Sequence, residues 1–69
     1  MRKSIIRENE NGTSALNYIQ RIIEEENPRA YIGEYLMVLE GKHVPFEKLE
    51  ETKLSTGQRV EIYVISGGG

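Results

Sequence analysis

Few side chains in this 69-residue chain are equipped for chemistry. It has no cysteine and no aspartate, and His43 is its single histidine. A nucleophilic triad needs a nucleophile, a base and an orienting acid, and a metal centre needs several converging ligands. His43 alone supplies neither and reads as an ordinary turn residue, so no catalytic and no metal-ligating residue is expected. Ser55-Thr56-Gly57 has the composition of a phosphate-contacting turn, but a turn that opens a strand is the simpler role. Tyr18, Tyr31 and Tyr35 offer faces on which a ligand can stack, but packing is the commoner reason for such residues.

What remains is the run Ser66-Gly67-Gly68-Gly69. Glycine lacks a Cβ and loses conformational entropy wherever it is held, so three in succession do nothing for folding. They suit a flexible tail, residues 66–69, that extends through a channel too narrow for side chains and presents a carboxylate on Gly69 to another protein's active site. The plainer alternative is a floppy end or a scar of recombinant expression.

The elements that must position such a tail are few. Arg2 to Arg7, centred on Ile5 and Ile6, reads as a strand, and Asn11-Gly12 as a turn. Thr13 or Ser14 is a candidate N-cap for a helix whose apolar stripe is Leu16, Ile19, Ile22 and Ile23, edged by Ala15 and Tyr18. Asn27-Pro28 ends it, because proline disfavours helical backbone in the residue before it. Glu24, Glu25 and Glu26 fall in the last turn, where the helix dipole is negative. They read as a solvated acidic end, or as the counterpart of a basic partner surface.

Tyr35 to Leu39 is an apolar strand with no polar face. One helix covers one side of a sheet, so the other side of this strand is either covered by loops or left as an apolar patch. Pro45 to Leu49 reads as a helical turn, Thr52-Lys53-Leu54 as a brief strand and Ser55-Thr56-Gly57 as a turn. In the last strand, Arg59 to Ile65, the alternation assigns Val60, Ile62 and Val64 to the core and Tyr63 and Ile65 to the opposite face. The expected class is α+β, with one domain over residues 1–65.

Composition narrows the partners. The net charge of −2 gives no basic excess for nucleic acid. No signal-peptide pattern or membrane-spanning run is visible, which points to the cytoplasm. A chain this small without disulfides has little room for a walled substrate cleft, so it is expected to be handled by larger proteins rather than to act as an enzyme.

The second half of the chain resembles the ThiS/MoaD group of ubiquitin-like sulfur carriers. The resemblance rests on Leu36-Met37-Val38-Leu39-Glu40-Gly41-Lys42, on Val44-Pro45 followed by a charged helical turn, on Leu54 to Ile62 with its Gly57-x-x-Val60 spacing, and on Gly68-Gly69. Within the group the order of these pieces is closest to the thiamine-pathway carrier ThiS. The chain departs from the group in having a shortened N-terminal hairpin and a third glycine, Gly67.

The resemblance implies a β-grasp fold with a small mixed sheet under one main helix. It also implies that an adenylyltransferase related to the ubiquitin activators uses ATP and magnesium to adenylate Gly69. Sulfur from a cysteine desulfurase or sulfurtransferase then converts Gly69 to a thiocarboxylate, which feeds a thiazole synthase or an equivalent enzyme. Gly67 and Gly68 would let the tail thread, while Tyr63, Ile65, Leu36 and Val38 would dock partners. The chain itself would bind no cofactor. The alternatives are a carrier for molybdopterin or tRNA thiolation, a protein modifier that forms isopeptide bonds, and a non-enzymatic interaction module.

Overall fold

The computed structural model describes residues 2–65. Helix α1, Ala15–Glu26, starts where its first amides find acceptors: Asn17 N–H donates to Ser14 Oγ at 3.1 Å, so Ser14 is the N-cap. The Ala15 and Leu16 amides donate to the carbonyls of Thr52 and Leu49, at 2.7 and 3.1 Å. Four orphan donors at a helix start need such partners, and here the long connection before the last strand provides two of them. Asn27 closes the helix, its N–H donating to Ile23 O.

Strands β1 (Arg2–Ile5), β2 (Tyr35–Leu39), β3 (Lys42–Val44) and β4 (Arg59–Val64) form one sheet in the order β1-β4-β2-β3. Every ladder is antiparallel, so the mixed sheet expected from the resemblance is corrected. The cause is topological. A single strand precedes the helix, without a returning hairpin partner among the described residues. β1 and β2 therefore both run opposite to β4, and α1 links them as a crossover split by β4. Strands that run the same way, β1 with β2 and β3 with β4, are thus never neighbours.

β2 and β3 join through the two-residue turn Glu40-Gly41, both at positive φ (51° and 81°), the geometry that matches strand twist in a tight hairpin. Glu40 tolerates it because its N–H donates to Arg59 O at 2.9 Å and its carboxylate accepts the Arg59 N–H at 2.5 Å. His43 consequently sits in β3, not in a turn. At the start of β4, Gly57 (φ 90°) and Gln58 face Ile6 as a bulge: Gly57 N–H donates to Ile6 O and Ile6 N–H to Gln58 O, each at 2.9 Å. Thr52-Lys53-Leu54 contributes a single bridge, Lys53 with Ser14, rather than a strand.

The core lies between α1 and one sheet face, built from Ala15, Tyr18, Ile19, Ile22 and Ile23 against Ile6, Met37, Val60 and Ile62. Leu49 and Leu54, from the long connection, close its end. Leu16 lies at the margin rather than in the stripe. Val64, assigned to the core by alternation, is 54% exposed, because α1 does not reach the end of β4 where Val64 pairs with Tyr35. Among the described residues no helix is long and apolar enough to cross a membrane.

Truncation should separate these positions. Ile62→Ala, at a site 3% exposed, is expected to lower unfolding free energy by about 2–5 kcal/mol. Val64→Ala is expected to stay within about 0.5 kcal/mol, as surface changes do. Urea denaturation of the two variants checks both.

Candidate functional site

The sheet has a second face, which the helix leaves uncovered. Alternation sets its members: with Val60 and Ile62 buried under α1, Glu61 and Tyr63 of β4 point the other way, as do Leu36 and Val38 of β2. Tyr63 lies directly opposite Leu36, and Glu61 opposite Val38. The Arg59–Glu40 bonds fix the phase of this ladder, so both are hydrogen-bonded pairs in which the side chains stand side by side. Ile65, just past β4, is held by its N–H donating to Glu34 O at 2.6 Å. It continues the same face and is 46% exposed.

The structure therefore brings Leu36, Val38, Tyr63 and Ile65 together on one surface. Gly67, Gly68 and Gly69 lie outside the described residues, beginning two positions beyond Ile65.

The β2–β4 centre of this face is apolar at Leu36, Val38 and Tyr63 and polar at Glu61, flanked by His43 opposite Val38 and Lys3 opposite Glu61. Tyr63 Oη donates to the Glu61 carboxylate, its neighbour two residues back on the same face. That bond, with burial and the nearby negative charge, holds the phenol above its ordinary pKa of 10.0. The bond keeps the ring lying along the strand beside Leu36.

At the Ile65 end the face runs into a cavity of about 330 Å³. Leu36 and His43 line it from the sheet, Ile65 from just past β4, and Tyr31, Phe46 and Leu49 from the flanking segments. Tyr31 and Phe46 stand 67% and 57% exposed at this cavity. The Tyr31 ring packs against the Cα side of Gly33, where a Cβ would make it shift. A lined hollow ringed by aromatic and aliphatic side chains suits an apolar side chain of a protein partner.

Phe46 was not foreseen as part of this surface. Its one signal in the sequence is Pro45, which fixes the backbone at the start of the short turn Phe46–Lys48 and leaves the ring outside the core.

The other candidates separate from this surface. Tyr18 is buried and its hydroxyl shares a 2.8 Å hydrogen bond with Ser4 Oγ, a packing role. Thr56 donates through its N–H and hydroxyl to Asn11 Oδ1, which ties two turns together. Among the described residues no group of three or more His, Cys, Asp or Glu side chains converges to hold a metal ion. No protein-family model, curated protein or solved structure matches the chain.

The Tyr63–Glu61 bond makes a pH-dependent contribution. The folded chain holds the phenolic proton more tightly than the unfolded chain, so the contribution is complete below about pH 10 and is lost as pH rises through the folded value. Glu61→Ala is expected to move the titration of the Tyr63 ring signals, followed by NMR, to lower pH. An unmoved midpoint would mean that Glu61 does not hold the hydroxyl.

Proposed function

We propose that this chain is a β-grasp sulfur carrier of the ThiS/MoaD type, charged at Gly69 and working in the cytoplasm. The observation that carries the reading is the continuity of one surface. Leu36, Val38, Tyr63 and Ile65 form an uncovered apolar face, and the chain passes from Ile65 directly into Ser66-Gly67-Gly68-Gly69. A docking face at the root of a side-chain-free segment is the arrangement a carrier needs. The face holds the domain against a larger enzyme while the glycines enter that enzyme's active site.

The chemistry then divides between the two proteins. A carboxylate resists attack until it has a good leaving group, so the adenylyltransferase joins Gly69 to AMP from ATP, with magnesium, and releases pyrophosphate. Positioned cations and backbone amides stabilise that step, and they belong to the partner. A persulfide sulfur displaces AMP, and thiol cleavage of the resulting acyl disulfide leaves the thiocarboxylate. That softer nucleophile carries sulfur to the acceptor enzyme, for which a thiazole synthase is the first candidate. The chain supplies recognition, reach and the carbonyl carbon.

Recognition and reach are expected to fail differently. In pyrophosphate exchange with a sulfur-carrier adenylyltransferase that accepts the chain, Leu36→Ala and Tyr63→Ala should raise KM about tenfold or more at little changed kcat, as truncated interface anchors do. Deleting Gly68 and Gly69 should abolish exchange while the shortened chain still competes for binding. Full exchange by the shortened chain would sink the reading.

A further inference from the structure

β1 is an edge strand, and the phase of its ladder shows which backbone groups it leaves open. Ile6 N–H donates to Gln58 O, so the pairs that exchange hydrogen bonds with β4 are Ser4 with Val60 and Arg2 with Ile62. Lys3 and Ile5 therefore turn their N–H and C=O groups outward, and no described residue pairs with them. At the opposite edge, β3 is three residues long and exposes the backbone of His43 alone.

Beside β1 runs a groove of about 610 Å³ between the strand and α1, floored by Ile6, Tyr18 and Ile22. It lies alongside the open edge, so the helix overhangs space that one more strand would fill. Ile5 is 55% exposed on this edge.

We infer that the occupant is a second copy of the chain, paired β1 to β1 antiparallel about a two-fold axis at Ser4. Outward-facing Lys3 and Ile5 then exchange hydrogen bonds with Ile5 and Lys3 of the other copy. This register sets each lysine against an isoleucine, whereas a register centred on Lys3 would oppose two like charges.

The charged residues lining the groove, Arg2, Arg7, Glu10, Arg21 and Glu25, are mixed in sign, as an interface between two copies requires. Arg2 is ion-paired with Glu26, which places the acidic end of α1 over the start of β1. Arg7, exposed beyond the other end of β1, has no carboxylate within ion-pair distance among the described residues. A two-fold axis brings the start of one β1 beside the end of the other, so Glu25 of each copy meets Arg7 of its mate. An isologous interface must be self-complementary in this way. The pairing also gives the acidic end of α1 a basic counterpart. It leaves the β2–β4 face uncovered and does not depend on the sulfur-carrier reading.

Sedimentation velocity on the full chain, over a concentration series, tests the inference. The wild type should form a reversible dimer. Arg7→Glu and Glu25→Arg, both at exposed positions, should each weaken it about tenfold or more, and the double variant should recover most of the loss. Ile5→Pro should abolish dimerisation with an unchanged far-UV spectrum, because the N–H it removes faces away from β4. A wild type that stays monomeric at about millimolar concentration would overturn the inference. A dimer indifferent to Ile5→Pro, or a double variant as weak as the singles, would do so equally.

Discussion

β4 is hydrogen-bonded on both sides. Its even-numbered residues pair with β1 and its odd-numbered residues with β2, and among the described residues no other element joins those two strands within the sheet. The central strand is therefore the one farthest along the chain from β1, and the sheet forms only once these distant segments meet. Contacts so far apart in sequence must be reached against loop-closure entropy, so β4 has to be strongly specified. Its run of β-branched and aromatic residues, and the bulge that locks Gly57 and Gln58 onto Ile6, supply that specification.

The same constraint organises the surface. Because β4 is central, its outward residues stand in the middle of the uncovered face rather than at a rim, and Glu61 and Tyr63 meet Val38 and Leu36 there. Because β4 is also the last element described, Ile65 lies where that face gives way to the glycine run. In the proposed function, recognition and delivery would therefore share one strand. Helix α1 stays on the other face, its first amides held by Leu49 and Thr52.

Much of this was legible in the residues. The 3.6-residue stripe from Ala15 to Ile23, the hydroxyl before it and Asn27-Pro28 after it placed the helix, since each signal is local. The apolar continuity of Tyr35 to Leu39 announced a strand with two apolar faces, and the alternation of β4 sorted Tyr63 from Ile62. What was not legible depends on where one element ends over another. Val64 obeys the core alternation yet lies beyond the reach of α1. Leu49 and Leu54 enter the core from a segment with no periodicity. His43 fell into a strand because Glu40, a non-glycine residue, adopts positive φ and tightens the turn before it. The wholly antiparallel sheet follows from the single strand before the helix, which the residues showed, whereas the mixed sheet was implied only by the resemblance.

The central claim is that Gly69 is where this chain is chemically charged, and its intact mass measures that directly. The chain, purified without a C-terminal tag, would be weighed before and after incubation with ATP, magnesium, an adenylyltransferase of the ubiquitin-activating type and a persulfide source. The expected result is a gain equal to the exchange of one oxygen for sulfur, mapped by fragmentation to Gly69. An unchanged mass with an adenylyltransferase that binds the chain, or a gain mapped to any other residue, would contradict it.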